Sequence, residues 1–428
     1  MNATAPHPRA ALHLMSGTPS LAFAVEGSRL FEVGPEMFEA LQAGGAAAEL
    51  ELLDGLAPVA AMPAELGELE GPSAVSLNLV QSCNLSCGYC YADEGRFGGP
   101  ARTMPEQVAL EAVDRLIASA PGPRVTVGFI GGEPFLARDM LHRCVDYAET
   151  RGLSAGIKVG FSVTTNGTLL RGGDLDLLRR HRFAVTVSID GGRAANDRHR
   201  RSGHAGSFDQ VMRAVAPLLA DPGGARITAR ATVARDDLEV ADRVAALSAA
   251  GFAEVGVSPV RTSPDPALPL QDGDWPAFLQ AMVRAAVEEA NRVEAGLPPR
   301  FANLWTAMRE IHRGASKPLP CGAVASYLSV GADGGVYTCH RTVGDARERL
   351  GSLSEFGASE PRRRFLQNRL VNRSEPCSSC WARYLCGGGC HAEVAKAGRT
   401  GCDFIRGWLE HCMHAYVQLL PARPDLFA

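Results

Sequence analysis

Between Ser73 and Val260, short apolar runs alternate with helical segments, and this rhythm constrains the fold more than any other feature of the chain. Residues 74–80, 125–130, 158–164, 184–189, 227–233 and 255–260 read as strands. Residues 105–118, 138–151, 175–180, 208–219 and 237–249 read as the helices between them. Six strands alternating with helices predict an α/β fold with a parallel sheet, open or curved into a partial (β/α)6 barrel. Such sheets place ligands at the carboxyl ends of their strands, and every motif below falls at such an end. Residues 1–70 read as a separate small α+β unit: short strands over 11–15, 21–25 and 30–33, then a helix over 35–43 with Pro35 in its first turn. Residues 55–72, rich in Ala, Pro, Gly and Glu, read as a linker or irregular cover. Beyond residue 260 the rhythm stops. A long helix is expected over 275–295 within a helical linker, 261–317, and from Pro318 to the end the chain is Gly-rich and Cys-rich, with a C-terminal helix.

A chain of 428 residues suits two to three domains, or one barrel with appendages. The formal charge of −4 gives no footing for nucleic acid or an anionic membrane. No run of about 18 apolar residues suggests a membrane span. The first ten residues lack the basic-then-apolar pattern of a secretory signal, so a cytoplasmic location is expected. Twelve cysteines are then too many to be incidental. In a reducing compartment they are not structural disulfides, and their clustering points to metal.

The first group, Cys83, Cys87 and Cys90, follows the first strand as C-x3-C-x2-C. Three thiolates do not complete a closed tetrahedral zinc site. They can hold three irons of a [4Fe–4S] cube and leave the fourth open; a zinc knuckle borrowing a fourth ligand is the plainer alternative. The second strand ends in Gly131-Gly132-Glu133-Pro134, the third in Thr164-Thr165-Asn166-Gly167, and the fourth in Ser188-Ile189-Asp190-Gly191. The second group is Cys321, followed by Gly334 and Cys339 as C-x12-G-x4-C. Cys377, Cys380, Cys386 and Cys390 then form C-x2-C-x5-C-x3-C, with Cys402 and Cys412 beyond. Two structural zinc sites are the alternative here. Cys144 lies within a helix and reads as a buried apolar thiol.

The cysteine loop and the strand ends resemble the radical SAM superfamily, and the C-terminal pattern resembles the SPASM domain over about 100 residues. The resemblance implies a radical SAM barrel over 73–260, a SPASM region over 318–428, and S-adenosylmethionine (SAM) with three [4Fe–4S] clusters as cofactors. Cys83, Cys87 and Cys90 would hold the SAM cluster, whose open iron is chelated by the amino and carboxylate groups of SAM. Tyr89 would lie beside the adenine. Gly131, Gly132, Glu133 and Pro134 match the motif whose backbone and carboxylate hold the SAM ammonium. Thr165, Asn166 and Ser188 match polar positions that contact its carboxylate and ribose. Asp190 would bind ribose or cap a loop; Arg230 would reach the SAM carboxylate or be an ordinary inward strand residue; Val257 would flank the adenine. The loop Asp197-Arg198-His199-Arg200 resembles one in peptide-modifying members, and is otherwise a solvated charged loop. Cysteine bookkeeping on the same resemblance gives Cys321, Cys339, Cys390 and Cys402 to a nearer auxiliary cluster, and Cys377, Cys380, Cys386 and Cys412 to a farther one.

Within the SPASM group the chain looks most like thioether-forming maturases, including the quinohemoprotein amine dehydrogenase maturase group. Residues 83–91 with Phe97-Gly98-Gly99, and 386–390 running into Cys402, Asp403 and 405–409, carry that resemblance. It implies a ribosomally made precursor peptide or protein as substrate and a flavodoxin or ferredoxin as reductant. Residues 1–70 resemble a reduced leader-peptide recognition module, which binds peptide as an added strand, or are a scaffold cover. Carbon–carbon or carbon–oxygen cross-linking, epimerisation and formylglycine formation are the alternative chemistries, and a non-catalytic iron–sulfur electron carrier is the alternative class. No residue is singled out as the general base. Asp236, Asp237 and Glu254 stand near strand ends, where an Asp usually caps a helix.

Overall fold

The computed structural model describes residues 12–53, 67–314, 316–357 and 359–427. Ala11 and residues 55–66, parts of the first expected strand and of the expected linker, lie outside the described residues.

Three antiparallel strands come first: β1 (Leu12–Met15), β2 (Ser20–Ala24) and β3 (Arg29–Val33), with β2 central. Helices α1 (Pro35–Gln42) and α2 (Ala46–Leu53) follow. Ala22, Val33, Leu41 and Ala48 form a small core between sheet and helices, while Leu21, Phe23 and Val25 join the main core on the other side. This small sheet sits on the C-terminal region. The His13 ring stacks on Trp381, centroids 3.9 Å apart and planes 4° from parallel. Glu26 accepts from Arg383 Nη2 at 2.6 Å.

The barrel strands are β4 (Ala74–Val80), β5 (Arg124–Gly131), β6 (Lys158–Thr165), β7 (Ala184–Ser188), β10 (Arg226–Val233) and β11 (Glu254–Pro259), all parallel. Between them run α3 (Glu106–Ala118), α4 (Arg138–Ala155), α5 (Gly172–Arg180), α6 (Arg193–His199), a two-strand hairpin β8 (Arg201–Ser202) and β9 (Ala205–Gly206), α7 (Phe208–Ala220) and α8 (Ala241–Ala249). Helix α3 shows why these segments pack: Ala109, Ala112, Val113, Leu116 and Ile117 fall on one face and are all buried. The strands alternate. Val125, Val127 and Phe129 of β5 are buried towards the helices, as are Val185 and Val187 of β7 and Ile227, Ala229, Ala231 and Val233 of β10. Their neighbours, among them Thr186, Ser188, Arg230 and Thr232, face the barrel interior.

The sheet does not stop at β11. Its order is β11-β10-β7-β6-β5-β4-β12-β13-β14, where β12 (Tyr327–Val330) lies parallel to β4, and β13 (Gly335–Tyr337) and β14 (Arg349–Ser352) continue antiparallel. The sequence reading ended the sheet at the sixth strand. Four- and three-residue strands in a Gly-rich stretch carry too little periodicity to be seen. Helices α9 (Trp275–Glu294) and α10 (Ala302–Arg313) precede β12; the second was not anticipated. Then come α11 (Glu360–Gln367), the single turn α12 (Arg383–Cys386), α13 (His391–Ala397) and the long α14 (Cys402–Ala422). Helix α14 packs along α9 through Phe404 against Trp275 and Phe278. The Cys-rich region therefore shares the barrel's core. No helix among the described residues is long and apolar enough to cross a membrane.

Candidate active site

The cysteine loop leaves β4 at Gln81 and crosses the carboxyl end of β5. It sits there because two glycines let it. A Cβ on Gly132 would lie 1.9 Å from the Ser82 carbonyl oxygen, and Gly131 adopts φ 150°. The Gly132 amide donates to Val80 O and the Glu133 amide to Ser82 O, each at 3.0 Å. The glycine pair thus seats the loop, and both residues also line the cavity beside it.

That cavity, about 590 Å³, lies at the strand carboxyl ends. Cys83, Cys87, Cys90 and Tyr89 line one end, and His340, Arg341, Cys390 and Glu393 the other. Thr165, Asn166, Ser188, Arg200 and Arg230 line it as well. Seven of the expected SAM contacts therefore face one space: Tyr89, Gly131, Gly132, Thr165, Asn166, Ser188 and Arg230.

Four do not. Glu133 is fully buried and outside the lining; its Oε1 accepts from Thr165 Oγ1 at 2.7 Å and Phe135 N at 3.2 Å, and its Oε2 from Asn166 N at 2.7 Å. The carboxylate expected on the SAM ammonium instead ties β5 to β6. Pro134 is buried behind it. Val257 points towards the helices and is 2% exposed, because strand parity turns its neighbour Ser258 inward. Asp190 is a hub below the cavity floor: it accepts from Tyr89 Oη and from Thr232 N, and pairs with Arg200 Nε at 3.0 Å. Asp236, Asp237 and Glu254 are paired with basic side chains outside the cavity.

Arg200 was read only as part of a charged loop. Its guanidinium sits over the Tyr89 ring, 5.5 Å from the centroid, and 4.0 Å from Cys87 Sγ. Burial works against its charge, but Asp190, Tyr89 and Cys87 together raise its pKa above the ordinary value. Arg230 belongs to the other end: it donates to Ser258 Oγ, and its charged neighbours are Arg341 and Glu393. Glu393 is bridged by Arg341 at 2.7 Å and Arg261 at 3.5 Å, Arg341 stacking on Tyr91 and Arg261 on Trp275. His340 is held neutral by burial and by Arg341, its pKa lowered to about 4. Strand parity could have found Thr186, Thr232 and Ser258; nothing in the sequence marked Arg200 above its charged neighbours.

Burial pushes the Cys83 thiol up to about 11 and the Cys87 thiol to about 12, each helped by the neighbouring thiols. Among the described residues, no three His, Cys, Asp or Glu side chains converge on a point that would suit one metal ion. Three thiols on one short loop suit a cube, whose ligands sit on separate irons. Cys321, Cys339 and Cys390 likewise influence one another, as do Cys377, Cys380, Cys386 and Cys402. Cys402 therefore lies within electrostatic reach of Cys377 and Cys386, members of the group to which the sequence reading gave Cys412. Cys412 is fully buried in α14, its thiol raised by burial alone.

Residues 77–220 match the model of the radical SAM superfamily. A serine-type anaerobic sulfatase-maturating enzyme of Klebsiella aerogenes is 24% identical, covering 74% of this chain and 79% of its own. An uncharacterized protein of Archaeoglobus fulgidus is 28% identical over 75% of each. Among solved structures, anSMEcpe with bound AdoMet superposes with a TM-score of 0.69 at 18% identity, over 81% of this chain and 99% of that one. Streptococcus suis SuiB bound to its precursor peptide SuiA gives 0.56 at 13%, over 90% and 96%. At these identities the likeness to the solved structures is one of fold. The fold is the radical SAM partial barrel with a Cys-rich C-terminal region. The chain is an enzyme, and its cofactors are SAM and [4Fe–4S] clusters.

Glu133 gives a pH prediction. Burial raises its carboxyl from 4.5 to about 7, against the pull of Asn166, Thr165 and Phe135. Between those pH values the folded chain keeps a proton that the unfolded chain has released. The contribution of this group to stability therefore falls as pH rises through that window. Glu133→Gln should remove this fall and, by turning an amide towards N–H and O–H donors, cost about 1–3 kcal/mol. Urea unfolding of the metal-free protein at about pH 5 and about pH 8 checks both.

Proposed function

We propose that the chain modifies a ribosomally made peptide or protein by hydrogen abstraction, closing a thioether or another cross-link within it. The observation that carries this reading is one cavity lined both by the three-cysteine loop and by Cys390, His340 and Arg341. SAM and a reduced cluster, when bound, supply a 5′-deoxyadenosyl radical able to take a hydrogen from an unactivated carbon. Cys83, Cys87 and Cys90 would hold the cluster concerned. Tyr89, fixed by Asp190, would flank the adenine, with Arg200 and Ser188 towards the SAM carboxylate and Thr165 and Asn166 nearby. Cys321, Cys339 and Cys390 would hold a nearer auxiliary cluster, and Cys377, Cys380, Cys386 and Cys402 a farther one, making three. The far end of the cavity would take the peptide, its cations and neutral imidazole fixing polar groups while the walls exclude water.

The proposed division is an N-terminal unit over 1–70 that receives a leader peptide, the barrel over 73–260, a helical linker over 261–317 and the auxiliary-cluster region over 318–428. A flavodoxin or ferredoxin of the cytoplasm would supply electrons. A second reading, maturation of a sulfatase-type protein, is favoured by the Klebsiella aerogenes relative. The two part in one experiment. Anaerobically reconstituted enzyme, SAM, dithionite and a Cys-containing candidate peptide should give 5′-deoxyadenosine and a product lighter by two hydrogens. That product would no longer react with iodoacetamide at the linked cysteine. 5′-Deoxyadenosine with no change in any peptide tested would leave only the SAM chemistry standing.

Arg200→Met tests the SAM end. Losing a charged hydrogen bond of about 1.5–3 kcal/mol should raise KM for SAM roughly ten- to a hundredfold. Initial rates of 5′-deoxyadenosine formation against SAM concentration measure it, and iron content should not change.

A further inference from the structure

A second cavity, about 280 Å³, lies beside the first, and Arg230 lines both. We infer that this smaller chamber receives the C-terminal residue of the peptide substrate, whose free carboxylate pairs with the Arg230 guanidinium. The inference rests on the peptide-modifying reading above.

Among the cations around the two cavities Arg230 stands apart. Arg200 pairs with Asp190, Arg261 and Arg341 share Glu393, and Lys317 of the second chamber pairs with Glu310 at 2.9 Å. Arg230 donates to Ser258 Oγ, and no carboxylate among the described residues pairs with it. Burial and the nearby Arg341 both work against its charge. Its side chain is nonetheless exposed, and the spaces it is open to are the two cavities. A Cβ on Gly256, which lines the chamber, would stand 3.4 Å from Arg230 Nη1, so any longer side chain there would crowd the guanidinium. A desolvated guanidinium without a counter-ion is stabilised by an incoming anion, and its flat fork of N–H donors matches a carboxylate.

The walls of the chamber favour a chain end. Asn303 is bonded in both directions to the Val257 backbone, at 2.8 and 2.9 Å, and the Lys317–Glu310 pair is closed. Ala302, Ala307, Leu385 and Leu409 supply apolar surface. An acidic side chain reaching Arg230 from the main cavity would bring only its head and leave that surface uncovered. A terminal residue brings a carboxylate and an apolar side chain together. The volume is just under the ~300 Å³ at which small-ligand pockets begin, which suits the end of a chain better than a chain that enters and leaves.

The test uses the full-length reconstituted enzyme with SAM and no reductant, and reads peptide affinity by saturation-transfer NMR. The probes are N-acetyl-glycyl-leucine as the free acid, the same dipeptide as its C-terminal amide, and N-acetyl-aspartyl-leucine amide. The free acid should bind roughly ten- to a hundredfold more tightly than either amide. Arg230→Gln should abolish that preference. Ala307→Phe, which fills the chamber and keeps the guanidinium, should weaken the free acid to the level of its amide. The inference is overturned if no probe binds, if acid and amide bind alike, or if the aspartyl amide matches the free acid, which would give Arg230 to an internal acidic side chain. A preference that survives either substitution also overturns it, and together with a tenfold loss of SAM affinity in Arg230→Gln would give Arg230 to the SAM carboxylate. Product formation from a longer Cys-containing peptide under dithionite judges the peptide-modifying reading separately: product without an acid preference sinks the inference alone, and no product with no probe bound ends both.

Discussion

Replacing Cys83, Cys87 and Cys90 together by Ala should abolish 5′-deoxyadenosine formation from SAM while leaving about eight of about twelve irons per chain. The loop hangs from β4 and rests on Gly131 and Gly132, outside the segment 321–402 that carries the other two thiol groups. The two sites therefore load separately. The reductive cleavage assay and iron analysis on the same preparation give both numbers. Cleavage that survives in the triple variant would place the SAM-binding cluster elsewhere, and a fall to near zero iron would make the three sites a single cooperative unit.

Cys386→Ala has the second large effect, on folding. Residues 377–402 contain short helical segments, three consecutive left-handed glycines (Gly387, Gly388 and Gly389) and few long apolar runs. Such a stretch has little burial to offset its chain entropy, so metal binding supplies folding free energy. Loss of one ligand should take about four irons, expose the 377–402 segment to limited proteolysis and lower solubility. Cys144→Ala and Cys412→Ala, which shorten buried thiols, should each cost only about 1 kcal/mol and no iron. Proteolytic fragments mapped by mass spectrometry, with iron content, separate the cases.

The barrel was legible because its strands are long and alternate; six strands and the ends that carry the site follow from that period. The same period, applied one residue more carefully, turns Val257 outward and Ser258 inward. The β12–β14 extension was not legible, since a four-residue strand gains its stability from pairing with β4 and not from any local pattern. The role of Glu133 was hidden for another reason. A buried carboxylate with three protein donors and one facing a ligand look alike in sequence, and only the positions of Thr165 and Asn166 decide. The thiol grouping turned on Cys402, which begins α14 within electrostatic reach of Cys377 and Cys386, and on Cys412, buried further along that helix. Spacing counts residues and cannot register such a turn of the chain.

The small N-terminal sheet rests on the strip from Trp381 to Tyr384, between two thiols of the far group. Glu26 and its partner Arg383 are 357 residues apart in the chain. At a synthesis rate of roughly 5–20 residues per second, the ribosome delivers the second partner roughly 20–70 s after the first. Through that interval Phe23 lacks Trp381, the ring it meets edge to face in the folded chain. When the strip emerges, iron delivery and sheet docking compete for the same few residues. A chain that docked before its iron arrived would already hold the strip between Cys380 and Cys386, the two thiols proposed above as ligands.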